Sequence, residues 1–208
     1  MGINMDNNEN INNMSDQYFD VLKEIGNIGA GNATTALSQM MGTKVDMKVP
    51  EVKLIEFKEV GTSMGGEDQI VAGIYLVVEG DITGSIMFIQ KKESAQNMIC
   101  KLMGVESCSD DLDDMERSAL KEIGNIITGA YLNSLSTLTN MTIYPSVPEL
   151  CIDMAGAILS VPAAEFGVLG DKLLLIKTEF SNDSDLSGYF LLVPDEESYA
   201  KILKSLGF

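Results

Sequence analysis

Apolar residues recur at helical spacing through residues 17–41, at Phe19, Leu22, Ile25, Ile28, Leu37, Met40 and Met41, and predict one long helix. Its core face takes Ile25 and Ile28. Residues 13–16 supply side chains suited to an N-cap, and Gly42 is a natural stop. Residues 44–49 and 51–57 then alternate apolar and polar as half-buried strands, with Pro50 at the join, where a missing N–H is tolerated. Residues 69–78 and 82–90 are apolar and β-branched enough for two more strands, joined through Glu79, Gly80 and Asp81. Helical spacing returns over residues 93–103. The succession then starts again: an acidic start at residues 109–114, which suits the positive end of a helix dipole, a helix to about Asn140, strands, and a last helix over residues 196–206.

The two series are copies of one another. Setting each residue against the one 98 positions later matches Lys23, Glu24, Ile25, Gly26, Asn27, Ile28, Gly31, Leu37, Ser38, Val49, Pro50 and Glu51 with the same residue in the second series. Farther on the offset becomes 104, with Glu93-Ser94 against Glu197-Ser198, so about six residues are inserted in the second copy, placed between Gly167 and Ser187. A repeat of this length is one supersecondary unit used twice. The fold class is α+β: helix, strands and helix, twice, related by a pseudo-two-fold axis, with two long motif-bearing helices on a shared sheet. Residues 1–16 read as a flexible segment. Residues 17–208 read as a single domain of two repeats, about 17–104 and 113–208, because residues 103–113 form only a short connection.

Composition narrows the function. With 45% hydrophobic residues and a mean hydropathy of +0.11 the chain can bury a core. No apolar run approaches the roughly 20 residues that cross a bilayer. Residues 1–16 are rich in Asn and Asp, unlike a secretory signal, and Asp6 stands where a myristoylation site needs Ser or Thr. The expected location is the cytoplasm. Cys100, Cys108 and Cys151 form no C-x-x-C pair and read as reduced thiols rather than a zinc site. The chain has no histidine, which removes Ser-His-Asp, Cys-His and phosphohistidine chemistry. A net charge of −17, with Arg117 the only arginine, argues against nucleic acid and anionic membranes as partners.

The remaining chemistry lies in Glu24 with Asn27 and in Glu122 with Asn125. Residues three apart share a helix face, so each pair can address one external target. Asp20 and Ser118 stand four residues before each Glu, and Gly31 and Gly129 four residues after each Asn. Glycine inside a helix costs about 0.5–1 kcal/mol relative to alanine. Close approach of another surface would account for it. Solvation alone would not hold Glu and Asn in register while Asn32 becomes Ala130 and Gln39 becomes Thr137. The glycines from Gly26 to Gly31 do not form a phosphate loop: the spacing is G-x-x-G-x-G, inside a helix, and Gly29 becomes Ile127 in the second copy.

Asp20-x3-Glu24-x2-Asn27-x22-Pro50 and Ser118-x3-Glu122-x2-Asn125-x22-Pro148 each resemble the signature of the CheC/CheX/FliY phosphatases of bacterial chemotaxis. The likeness covers the chain from about Gln17 onward, and two intact motifs in one chain resemble the CheC branch. That resemblance implies a hydrolase acting on the aspartyl phosphate of the response regulator CheY. Asn27 or Asn125 would position the attacking water, and Glu24 or Glu122 would pair with a lysine of the regulator. Asp20, Ser118, Gly31 and Gly129 become contact or support positions, and Pro50 and Pro148 structural ones. Mg²⁺ would reside in the regulator, so the chain would need no metal or cofactor of its own. The same resemblance offers a second role, binding the receptor deamidase CheD, with residues 150–160 as the docking region and Asp153 a contact. The duplication suggests a monomer.

Overall fold

The computed structural model describes residues 16–42, 44–105, 111–166, 172–180 and 188–207. The long helices form where the periodicity puts them: α1 spans Asp16–Met41, and Gly42 follows with a left-handed φ of 63°. Of the predicted N-cap residues 13–16, the first three lie outside the described residues, as does the segment before them. After α1 come β1 (Met47–Glu56), α2 (Phe57–Met64), β2 (Ile70–Gly80), β3 (Gly84–Lys91) and α3 (Lys92–Met103). The second copy supplies α4 (Asp114–Thr139), β4 (Ile143–Pro145), β5 (Glu149–Met154), α5 (Ala155–Phe166), β6 (Lys172–Phe180), β7 (Gly188–Pro194) and α6 (Glu196–Ser205). The acidic start of α4 is a capping box: the Asp113 side chain accepts from the Glu116 N–H, and Glu116 accepts from the Asp113 N–H, both at 2.8 Å.

All seven strands join one antiparallel sheet in the order β1-β6-β7-β3-β2-β4, with β5 also on β2. The strand that follows the long helix of each copy therefore pairs with the other copy, β1 on β6, and β4 and β5, which together match β1, on β2. Exchanging the copies reverses this order onto itself. The last helix of each copy starts 104 residues apart, at Lys92 and Glu196, and the registers add an intermediate offset before it. Ile55 faces Leu173 as Asp153 faces Val71, so second strands correspond at 102 residues, and Phe88 lies opposite Phe190 across the β3–β7 pair. Four of the extra residues thus precede Leu173, where α5 has 12 residues and α2 has 8. They lengthen a helix rather than a loop after Gly167.

Helices α1 and α4, with α3 and α6 also on the sheet, pack on one face of it over Ile74, Leu76, Ile86, Phe88 and Ile176. Helices α2 and α5 cover the other face over Met87, Ile89, Leu175 and Leu191. That alternation is the period of two expected of strands covered on both sides. One cysteine departs from expectation: Cys100 in α3 is disulfide-bonded, whereas Cys151 in β5 is free and exposed. No helix among the described residues is long and apolar enough to cross a membrane.

Candidate active site

Strand β1 explains how Asn27 is held. Val49 and Pro50 together oppose a single residue of β6, because Lys48 pairs with Glu179 and Glu51 with Lys177. Such a bulge leaves one backbone group out of the ladder. Proline has no N–H and keeps the residue before it extended. The Val49 N–H is thereby free to leave the sheet, and it donates to Asn27 Oδ1 at 3.0 Å. Gly26 permits the approach: a β-carbon there would stand 3.2 Å from both Val49 methyls. The 22-residue interval between Asn27 and Pro50 is therefore the length of chain needed to return a bulged strand beneath the carboxamide. Asn27 is half-buried at the inner edge of its helix face, with Glu24, Asp20 and Gly31 exposed beside it.

The second copy has the same bulge without the same latch. Ser146 N–H bonds Val77 O at 2.8 Å and Glu149 pairs with Tyr75, so Val147 and Pro148 oppose one residue of β2. Here, however, it is Ile74 that lies under Gly124, 2.5 Å from where a β-carbon would be. Val147 is 79% exposed, against 3% for Val49. Asn125 makes no side-chain hydrogen bond with the described residues. It lines an open cavity of about 530 Å³ with Ser118, Lys121, Glu122, Val147 and Pro148. The Ser118 hydroxyl donates to Asp114 O at 2.7 Å, which ties it to its own helix.

The glycines divide by task. Gly26 and Gly124 face packed side chains, and Gly29 faces the backbone of α4, where a β-carbon would lie 2.9 Å from Tyr131 Cα. These three serve packing inside the protein rather than contact with an outside surface. Gly31 and Gly129 would meet nothing within 4 Å, so only these two leave bare helix toward solvent. Ile28 also departs from expectation: it is 41% exposed beside Glu24 and Asn27, while Ile25 is fully buried. The Val49 N–H and Lys121 are site groups that motif reading passed over, although identity between the copies at both positions was the available signal.

Asp153 is not part of this face. It is exposed on β5, its Oδ1 accepts the Met154 N–H at 2.7 Å, and it borders a separate cavity of about 230 Å³ with Tyr75, Met87 and Ile158. Tyr75 and Met87 belong to the sheet face covered by α2 and α5, opposite the long helices. Among the described residues no cluster of His, Cys, Asp or Glu could hold a metal ion.

A protein-family model, the CheC-like family, matches residues 20–54 and 115–152, each a long helix with the strand that follows. The chain is 39% identical over 202 residues to the CheY-P phosphatase CheC of Bacillus subtilis (strain 168), covering 94% of this chain and 97% of that one. In fold it is similar to FliY of Thermotoga maritima, with a TM-score of 0.72 at 22% identity over 93% of this chain and 98% of the other. It is also similar in fold to a chain of the CheX-CheY-BeF3-Mg+2 complex from Borrelia burgdorferi, with a TM-score of 0.50 at 17% identity over 81% of this chain and 96% of that chain.

Proposed function

The chain belongs to the CheC-like family, and from that premise we propose that it is a phosphatase hydrolysing the aspartyl phosphate of the response regulator CheY. The observation that carries the reading is the pairing, on two exposed helix faces, of a carboxylate with a carboxamide that has hydrogen-bonding capacity to spare. In the step itself a water oxygen bonds to phosphorus, the bond from phosphorus to the aspartyl oxygen breaks, and the regulator recovers its carboxylate. The water proton leaves with inorganic phosphate. An acyl phosphate is already activated, so the catalyst's main task is to hold water in line with the breaking bond.

A carboxamide can do this without taking a proton. Asn27 has one Oδ1 lone pair committed to Val49 and keeps its second lone pair and both N–H groups. Asn125 keeps all of them. Glu24 and Glu122, exposed on the same faces, would form charge-assisted bonds with a lysine of the regulator and fix the depth of docking. The metal would belong to the regulator, and the chain would act as a monomer. Phosphate release from CheY charged with a small phosphodonor, with and without the chain, tests the reading. No acceleration would end it.

A second role is favoured by Asp153, which borders an apolar cavity on the face opposite the long helices. A protein bound there, CheD in this reading, would leave the Glu-x-x-Asn faces free. Asp153→Ala is expected to weaken the CheD complex about tenfold or more, the scale of an interface position worth over 1 kcal/mol, with phosphate release unchanged. Equal affinity by titration would remove Asp153 from the interface.

A further inference from the structure

We infer that Lys121 binds the phosphoryl oxygens of the substrate at the second face, an inference that rests on the phosphatase reading. Lysine stands before Glu in both copies, as Lys23 and Lys121, in a chain with only 14 Lys and Arg against 31 Asp and Glu. Lys121 lines the open cavity together with Ser118, Glu122 and Asn125. At roughly 100° of turn per residue, Asn125 lies between Lys121 and Glu122 around the helix, about 40° from the first and 60° from the second. The carboxamide is thus flanked by a cation on one side and an anion on the other.

Nothing on the described part of the chain uses that cation. Lys121 has no ion-pair partner among the described residues, and the positions three and four away on α4 are Arg117, Ser118, Gly124 and Asn125, none of them acidic. Lys23 differs here, because Asp20 stands where the second copy has Ser118. A phosphorylated regulator offers a phosphoryl anion close to a lysine. Glu122 suits the lysine, Lys121 suits the anion, and Asn125 sits where water must enter between them. An ammonium against the phosphoryl oxygens stabilises the charge they carry in a loose transition state, and does so best where the site excludes water.

The test isolates the second face by working in the Asn27→Ala background. There Lys121→Gln is expected to lower kcat/KM for phosphorylated CheY roughly tenfold, and Lys121→Arg to restore most of it. The salt dependence of kcat/KM should flatten in the Gln variant, since a screened charge pair has been removed. Affinity for unphosphorylated CheY and the melting temperature should not move, as they would if Lys121 only supported the helix. Unchanged kcat/KM in Lys121→Gln overturns the inference, as does an equal loss of affinity for unphosphorylated CheY. An idle Asn27→Ala parent would overturn it too, by showing that the second face does not turn over. Full activity in a chain lacking both Asn27 and Asn125 would instead sink the carboxamide mechanism.

Discussion

Replacing Asn27 and Asn125 together by Ala returns phosphate release from CheY to the regulator's own rate, a loss on the order of 10²-fold, the scale of removing one preorganised hydrogen-bonding group from a transition state. Either single change leaves an intact face on the other helix, so only the pair is decisive. The effects on stability differ between the copies. Asn27→Ala strands the Val49 N–H, which β1 cannot reabsorb because the bulge at Pro50 has taken it out of the ladder. That loss costs about 1 kcal/mol. Asn125→Ala removes no hydrogen bond to the described residues and should leave the melting temperature in place. Binding of CheY should survive in the double variant, because Glu24 and Glu122 remain. A double variant with wild-type turnover would show that neither carboxamide positions the water.

The long helices and the Glu-x-x-Asn faces were legible because their information is local and repeated. Period 3.6 marks α1 and α4, and register between the copies marks which polar residues to weigh. Other features depend on contacts that periodicity does not carry. Helix α2 starts from a capping box between Glu56 and Glu59, with glutamate in place of the short polar residues that usually announce an N-cap. Helix α5 carries Pro162 inside it, which hides a helix in the sequence, yet it packs on the sheet through Ala155, Ile158 and Leu159. Ile28 fits the apolar stripe in sequence, yet is exposed, as the neighbours of Glu24 and Asn27 must be if a partner is to reach them. The exchange of first strands between copies was not legible either. A repeat says that two units are alike, but only the ladders say that β1 belongs beside β6.

The glycines of α1 provide the second large effect, because two that look alike in sequence should respond in opposite ways. Gly29→Ala puts a methyl 2.9 Å from Tyr131 Cα, against main chain that cannot turn aside as a side chain would. The helices must separate, and overpacking of this kind costs roughly 1–3 kcal/mol, which for a chain of this size is a fall of roughly 2–12 °C in melting temperature. The counterpart of Gly29 in the second copy, Ile127, is instead buried in the core at 1% exposure. Gly31→Ala meets nothing within 4 Å and should gain about 0.5–1 kcal/mol from helix propensity. Its methyl would nevertheless stand one turn from Asn27 on the face a regulator must approach, so KM for CheY should rise even as the protein becomes harder to melt. Carried out in an Asn125→Ala background, the comparison reads the first face alone. A Gly31→Ala protein that is more stable and has an unchanged KM would show that the bare turn is not a contact surface, and a Gly29→Ala protein that melts normally would show that α1 and α4 do not meet as closely as their backbones indicate.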